Sequence, residues 1–425
     1  MPIDKLVIAN FKGIAEREEF DIRPITIFSG PNSSGKSSCI HAMAALAQTV
    51  KLSASQVPIV LDDEYAQVNL GRFLDVIHSR SIKDSFSIGI GLSNVSTPFL
   101  SNDEAPGKIP SLHFEMSFKA KQAAQEIYIQ SARMSLGNLT YSFQKKSSKS
   151  GEFNITRDGV KLSFSAISTG RFSLRPQLTF MDNNEPHKEQ MEAFLHSENV
   201  SSSLNKELRR TLYLGPFRQG PLRRYPTRGS QPTEVGSAGE SAVPMLANEF
   251  SRSSTKHPNL TRVSNWISKM GLGKKIEVVP VAKTDLFDVS LTLNDGAKLS
   301  IPDLGYGVSQ VLPVLVQCSF APPGSTLLFE QPELHLHEGA AKQLATVFID
   351  VVREKNVHIL AETHSPHLFI ELIRQVKAGL LAPEEVVLYD VIRRDGRSEF
   401  RKVEIIRDAN GHCEVDHPWA RGLER

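Results

Sequence analysis

The stretch Gly30-Pro31-Asn32-Ser33-Ser34-Gly35-Lys36-Ser37-Ser38 constrains this chain more than any other. It fits the spacing G-x-x-x-x-G-K-[ST], a loop that wraps the phosphates of a nucleotide. Such a loop works only between a strand and a helix, and both are legible. Ile25-Thr26-Ile27-Phe28 reads as a short buried strand. Ser38 to Val50, rich in alanine with Ile40, Met43 and Leu46, reads as a helix. Gly30 and Gly35 let backbone N–H groups curl around phosphate oxygens, and the helix N-terminus adds its dipole. Asn32, Ser33, Ser34 and Ser38 complete the loop. Lys36 is placed to reach the β- and γ-phosphates, and the Ser37 hydroxyl to take one position on Mg²⁺. The fold class this demands is α/β, with the ligand beyond the C-terminal ends of parallel strands.

A chain of 425 residues has room for one large α/β unit with insertions, or for two or three domains. Lys and Arg (49) nearly balance Asp and Glu (47), so no global basic character points to nucleic acid, although a local patch is compatible with it. Cys39, Cys318 and Cys413 form no C-x-x-C pair, which points to a reduced, cytoplasmic protein. The most apolar stretch, Val311 to Phe329, is interrupted by Gln317, Pro322, Pro323 and Gly324, so no membrane span is expected.

Leu6 to Gly13 reads as a strand entering a turn, with Ile14 to Phe20 as a hairpin return. Between Asp84 and Met181 the character changes to short alternating runs, at residues 85–92, 112–118, 126–134, 139–144 and 161–164, separated by polar turns. That pattern predicts an antiparallel meander, with Asp158-Gly159 as a hairpin turn. Glu185 to Arg210 reads as a helical insertion or a mobile segment. The arginines between Arg223 and Gly239 fit an anion-binding loop or a plain connector. The last third returns to α/β alternation: helices from Ser309, Gly339 and Pro366, and strands at 325–329, 357–361 and 386–392. The expected division is an ATPase lobe over 1–83, a β-rich and helical insertion over 84–210, a second ATPase lobe over 211–408, and a tail over 409–425.

A phosphate loop needs a carboxylate on Mg²⁺ and a group to position the attacking water. Thr326-Leu327-Leu328-Phe329-Glu330 has the Walker B form, an apolar run ending in an acid, which puts Glu330 on the metal. Glu362-Thr363-His364-Ser365 ends another strand, where His364 can hydrogen-bond the γ-phosphate or the water. Leu304-Gly305-Tyr306-Gly307-Val308-Ser309-Gln310 is a glycine-rich turn opening a helix, able to offer N–H groups and the Ser309 hydroxyl to an anion. Two other readings use some of the same residues. Glu330, Glu333, His335, His337 and His364 could form a zinc cluster of a hydrolase. The loop alone would also suit a small-molecule kinase, which leaves the glycine turn and the Thr-His-Ser strand end unexplained.

Together these pieces resemble the ABC-type ATPases of the SMC/RecF class, and in particular the compact bacterial AAA-family predicted ATPases related to the overcoming-lysogenization-defect (OLD) group. The resemblance spans nearly the whole chain. It rests on Leu6 to Gly13, the phosphate loop, Asn69-Leu70-Gly71-Arg72-Phe73, Tyr213-Leu214-Gly215-Pro216, Gly305 to Gln310, Glu330 to His337 and Glu362 to Pro366. It implies an ABC-type ATPase head with a mixed core sheet. It also implies a homodimer or higher oligomer with ATP between head-to-tail protomers, one giving the loop, Glu330 and His364, the other Gly307 and Ser309. Lys12 matches a basic residue that touches phosphates in such heads, Gln48 the Mg²⁺-linked glutamine, and Asp303 and Arg218 are further candidates.

There are two departures. Gln331 stands where many of these ATPases carry a catalytic Glu, leaving Glu333 and His364 as substitutes and predicting slow hydrolysis. The roughly sixty residues after His364 are too few for the Toprim nuclease domain of OLD-type proteins. The expected role is therefore an ATP-driven switch holding a separate effector, a nuclease among the options, in anti-phage defence. The alternative is a RecF/SMC-like ATPase that clamps DNA in repair or maintenance, against which the balanced charge argues.

Overall fold

Two kinds of strand, told apart by their burial, organise the computed structural model, which describes residues 3–52, 57–96, 108–121, 126–170, 172–179, 187–226, 232–252, 256–407, 413–415 and 417. The first kind mixes buried and half-exposed positions. β1 (Ile3–Ala9) is of this kind, and β2 (Glu18–Asp21) returns against it antiparallel, with Leu6 opposite Phe20. β3 (Ile25–Ser29) is of the second kind, buried at all five residues. It leads through the phosphate loop into helix α1 (Ser37–Lys51), and the single turn α2 (Phe73–Val76) follows. Next come β4 (Phe86–Ser96), β5 (Lys108–Ala120), β6 (Ile127–Leu136), β7 (Leu139–Lys145), β8 (Glu152–Arg157), β9 (Val160–Gly170), β10 (Ser173–Pro176) and helix α3 (Lys188–Arg209). The chain continues through β11 (Thr211–Leu214), β12 (Arg224–Pro226), α4 (Ala242–Arg252), α5 (Pro258–Lys269), β13 (Lys275–Pro280), β14 (Leu286–Thr292) and β15 (Lys298–Ser300). Its last third is α6 (Tyr306–Phe320), β16 (Thr326–Glu330), α7 (Glu338–Lys355), β17 (His358–Thr363), α8 (Pro366–Lys377), β18 (Val386–Arg394) and β19 (Arg397–Lys402), closed by β20 (Ile405–Arg407) paired to β21 (Cys413–Val415).

The elements fall into two compact units. The first comprises Met1–Ile22, His41–Thr211 and Arg393–Glu399. Its frame is a nine-stranded sheet in the order β10-β9-β8-β7-β6-β5-β4-β1-β2, antiparallel at every pairing. The expected meander is thus present and longer than the sequence pattern indicated, and β1 and β2 belong to it. Phe11, Phe73, Phe86 and Phe118 cluster on its buried face, with ring centroids 5.3–5.6 Å apart between Phe86 and the other three. The segment expected as a helix or a mobile insertion is helical over α3. Ala193, Val200, Leu204 and Leu208 bury one stripe of it, and His196 meets the Tyr141 hydroxyl at 3.1 Å. Residues 185 and 186 of that segment lie outside the described residues.

The second unit comprises Arg23–Ile40, Leu212–Ile392 and Phe400–Arg425. Its main sheet runs β11-β16-β17-β3-β18-β19, and the pairings β16–β17, β17–β3 and β3–β18 are parallel. β16 and β17 are buried throughout, as parallel strands covered on both faces must be. Ile27, Leu214, Val314, Phe329, Phe348, Ile359 and Leu372 share one continuous core, with Phe329 stacked on Phe348 at 5.7 Å. A smaller sheet, β12-β14-β13 with β15 beside β14, completes the unit.

This division differs from the linear lobes expected from sequence. The phosphate loop does not group with residues 1–22 and 41–83 but with the C-terminal half, because β3 takes its two neighbours from β17 and β18.

Candidate nucleotide site

The C-terminal ends of β3, β17 and β16 lie side by side, and the chain places its polar residues there. Gly30 leaves β3 at φ +155°, and a Cβ on it would stand 2.0 Å from the Val391 carbonyl, so only glycine fits. Gly35 has φ +101° and Ser33 φ +61°. The loop folds around its own lysine: Lys36 Nζ donates to the Gly30 carbonyl (3.0 Å) and the Pro31 carbonyl (2.7 Å) and stands 3.5 Å from Ser34 Oγ. Burial pulls the Lys36 pKa below the ordinary lysine value, opposed by the charges of Glu362 and Glu333. Asn32 and Ser33 are exposed at the loop tip, Ser34 and Ser38 are buried, and Ser37 is half-buried. The Ser37 hydroxyl donates to Glu362 Oε2 at 2.5 Å.

Glu330 and Glu362 are direct register partners at the ends of β16 and β17. Both are buried. Glu330 Oε1 accepts the Tyr213 hydroxyl at 2.5 Å. Burial first, and the neighbouring Glu330 charge second, push the Glu362 pKa up to about 7, while Ser37 and Lys36 pull it down. Arg218, also buried, donates to the Glu330 carbonyl (3.0 Å) and doubly to the Gln331 carbonyl (3.2 Å each). Desolvation lowers its pKa to about 10, opposed by Glu333 and Glu330. Gln331 sits in the left-handed region at φ +47°, its N–H bonded to the Glu362 carbonyl at 3.0 Å. A non-glycine residue there costs about 1–2 kcal/mol, and the guanidinium of Arg218 holds it in place.

Beyond Gln331 the chain turns back, with Leu334 N–H on the Gln331 carbonyl. This carries Glu333 under the end of β17, where Oε1 accepts from Thr363 Oγ1 and from the N–H groups of His364 and Ser365 (3.3 Å each). Burial raises its pKa despite those bonds. Glu333 thus caps the turn between β17 and α8. His364 Nδ1 lies 3.0 Å from the Gly30 carbonyl. A carbonyl only accepts, so Nδ1 carries the proton and Nε2 keeps its lone pair. Burial, then the Lys36 charge, hold the imidazole below its usual pKa, so it is neutral near pH 7.

The glycine turn is built differently from expectation. Gly305 caps α6, and Gly305 and Tyr306 are exposed, Tyr306 by 76 %. Gly307 is half-buried, and a Cβ on it would stand 2.9 Å from the His335 carbonyl. Ser309, expected to face an anion, is turned inward: it is buried, and its hydroxyl donates to the Tyr306 carbonyl at 2.9 Å. α6 is buried continuously from Val308 to Ser319, so Ser309 follows the helix into the core. Asp303 makes a forked ion pair with Arg223 (2.7 and 3.0 Å), which engages the first arginine of the polar 223–239 stretch.

Lys12 and Gln48 lie in the first unit. Lys12 Nζ meets His41 Nδ1 at 2.8 Å. Gln48, expected on Mg²⁺, is corrected by its contacts. Its Nε2 donates to the Val60 (2.8 Å) and Val68 (3.2 Å) carbonyls, and its Oε1 accepts from Val68 N–H at 3.0 Å. A buried amide so engaged pins residues 60 and 68 to α1 and is withdrawn from the metal set.

The oxygen donors at the strand ends, the Ser37 hydroxyl with the Glu362 and Glu330 carboxylates, suit Mg²⁺, which takes one or two carboxylates and leaves its other positions to phosphate and water. The zinc reading finds no support: among the described residues no group of three or more His, Cys, Asp or Glu stands in metal-holding geometry. His335 and His337 are exposed, and His337 Nδ1 caps α7 by accepting Ala340 N–H. Among those residues, too, no helix is long and apolar enough to cross a membrane. Sequence reasoning assigned no role to Tyr213 or Glu362 and listed Arg218 without one. Glu362 carried a signal, since His358-Ile359-Leu360-Ala361-Glu362 repeats the apolar-run-then-acid form of Thr326 to Glu330.

No curated protein matches the chain in sequence. Among solved structures, it is similar to an SmcHead bound to the C-winged helix domain of ScpA, at 12 % identity over 95 % of this chain and 98 % of that one, with a TM-score of 0.49. It is also similar to the SMC head domain from Thermotoga maritima (11 % identity, 95 % and 100 % covered, TM-score 0.38). A third is an Smc head domain with an extended coiled coil bound to the C-terminal domain of ScpA derived from Pyrococcus furiosus (10 %, 94 % and 96 %, TM-score 0.47). The sequence model of the AAA ATPase domain matches residues 1–369, spanning the phosphate loop, the glycine turn and both acidic strand ends, and the chain belongs to that family.

Proposed function

We propose that the chain binds ATP·Mg²⁺ at the ends of β3, β16 and β17, closes on it as a homodimer, and hydrolyses it slowly, so that the ATP-bound state acts as a switch on a separate effector protein. The observation that carries this reading is the loop itself: Lys36 is held inside its own backbone carbonyls, ready to exchange them for phosphate oxygens, with Ser37 on a carboxylate. When bound, Mg²⁺ supplies charge neutralisation at the β- and γ-phosphates. The chain's own residues do the rest. Lys36 binds phosphate, Ser37 and the strand-end carboxylates hold the cation, and Arg218 fixes the backbone at Gln331.

Slow turnover follows from what stands near the expected base. An amide cannot take a proton from water. Glu333 is committed to the β17–α8 turn, and His364 offers a weak neutral base at Nε2. General-base catalysis is worth about 10²–10⁴-fold. The dimer reading is supported by the exposed Gly305–Tyr306 edge, where the N-terminus of the 15-residue α6 offers N–H groups to a second protomer's nucleotide. A nuclease as effector, a role in anti-phage defence and a cytoplasmic location rest on the family resemblance.

The test is mass measurement with and without ATP·Mg²⁺. Wild type should shift from monomer to dimer on adding ATP·Mg²⁺, and Tyr306→Arg should bind ATP yet stay monomeric. A wild type that binds ATP with no change of mass would sink the dimer switch.

A further inference from the structure

We propose that the open edge of β13, with the groove beside it, is a docking site for an extended, acidic-flanked segment of a partner protein, which joins the small sheet as a further strand. The surface shares no residue with the nucleotide site, and the inference does not rest on that site.

Three observations carry it. The first is an edge. β13 ends the sheet β12-β14-β13, so among the described residues it has a strand neighbour on one side only. The pairing fixes which backbone groups face outward. The Val281 N–H bonds the Leu286 carbonyl across the hairpin, and in an antiparallel ladder every second residue faces the same neighbour. Lys275, Glu277 and Val279 therefore face β14, and Ile276 and Val278 face away from it. The outward Ile276 N–H accordingly donates to Ser264 Oγ of α5 at 3.1 Å. The N–H and C=O of Val278 and the C=O of Ile276 remain directed at the open side.

The second is space. A groove of about 450 Å³ lies between β13 and α5. Phe250, Leu260 and Val278 give it apolar walls, and Phe250 is held by stacking on His257 at 4.8 Å. Thr261 and Asn265, exposed one turn apart on α5, offer polar groups opposite the strand edge. An extended segment has backbone groups to satisfy along its edge and alternate side chains to bury, and this groove supplies both.

The third is charge. Lys274 makes no ion pair among the described residues, and Lys275 and Lys298 share the one carboxylate of Glu277 at 3.2 and 2.5 Å. Three cations against one anion leave the rim positive, so it selects acidic residues beside the apolar anchor. A second copy of this chain is a poor occupant. Two β13 strands paired antiparallel about Val278 would set Ile276 of one against Pro280 of the other, which has no N–H to give, and would bring one positive rim to another.

The experiment is fluorescence anisotropy of the full chain, without nucleotide, against two labelled peptides. Both carry the apolar extended core Val-Thr-Val-Ile, flanked by pairs of Glu in one and pairs of Lys in the other. The acidic peptide should bind about tenfold tighter or more, and added salt should weaken it. Lys274→Glu combined with Lys275→Glu should reverse the preference. Thr261→Trp fills the groove from an exposed helix position and should abolish binding with an unchanged melting temperature. Hydrogen exchange across residues 274–280, read by mass spectrometry, should slow on binding by the one amide of Val278. Equal binding of the two peptides, or no binding of either at millimolar concentration, overturns the proposal. So does acidic-peptide binding that leaves the Val278 amide unprotected and survives Thr261→Trp. With no nucleotide present, each of these outcomes leaves the ATP reading untouched.

Discussion

The two sheets of this protein treat their polar residues in opposite ways. In the nine-stranded antiparallel sheet, buried and half-exposed positions alternate along strands such as β8, where Phe153 and Ile155 are buried between half-exposed neighbours, and charged groups are met in part-exposed ion pairs such as Arg17 with Glu115. In the parallel core, β16 and β17 are buried from end to end, and carboxylates appear only at Glu330, the last residue of β16, and Glu362, the last but one of β17. An antiparallel sheet with one wet face distributes polarity along its length. A parallel sheet covered on both faces has nowhere to put it except the strand ends. In the second unit the buried carboxylates therefore gather at the C-terminal strand ends.

If that contrast is right, damage to the first sheet lowers stability and spares the ligand. Phe86→Ala empties a position surrounded by Phe11, Phe73 and Phe118 and should cost about 3–5 kcal/mol of stability by denaturant titration. ATP affinity of the folded fraction should not change. A loss of affinity beyond the folded fraction would break the comparison, because it would make the antiparallel sheet part of the site. At the strand ends the opposite holds. Lys36→Ala should lower ATP·Mg²⁺ affinity by about 100-fold or more, the worth of ~3 kcal/mol of charge-assisted bonds to phosphate. Its melting temperature should stay close to wild type, as read by calorimetry.

Tyr213→Phe sharpens the contrast, since it removes one hydroxyl from a carboxylate buried at the edge. It should destabilise the nucleotide-free protein by about 1–3 kcal/mol, because Glu330 loses a donor where water does not reach. Saturating ATP·Mg²⁺ should shrink that difference. An effect of equal size with and without ligand would mean that Glu330 has no electrostatic link to the nucleotide. The smallest effect belongs to Gln331→Glu. Single-turnover hydrolysis should rise about tenfold, some 1.4 kcal/mol of barrier. Fast hydrolysis by wild type, lost in this variant, would make Gln331 the water-positioning group of an efficient ATPase.

What the sequence revealed and what it hid follow from distance along the chain. The phosphate loop was readable because its strand, glycines and helix are consecutive. The meander was readable because antiparallel neighbours are also sequence neighbours. The contact of Glu362 with Ser37 was not, although its pattern was visible, because it depends on β17 lying between β16 and β3, a fact of pairing rather than of spelling. Ser309 was misplaced for a related reason. α6 is buried from Val308 to Ser319 and so shows no apolar stripe from which an outward face could be read. Gln48 looked available only until the 57–70 segment was seen to wrap its amide. Residues on both sides of position 83 share one unit because β4 pairs with β1, while the loop's strand groups with the far end of the chain because both its neighbours come from there.

That last feature has a consequence for how the protein is made. Ile25 pairs with Ile359 on one side and Val386 on the other. During synthesis the glycine loop leaves the ribosome with no sheet to join, and it waits while about 360 further residues are added, roughly 20–70 s at ordinary elongation rates. Until β17 and β18 emerge, β3 is an apolar strand with two open edges, a natural client for a chaperone. On the proposed reading, ATP binding becomes possible only after β17 and β18 have emerged. Ribosome-bound chains arrested before residue 358 should fail to retain ATP, whereas chains arrested with β18 fully outside the exit tunnel should hold it.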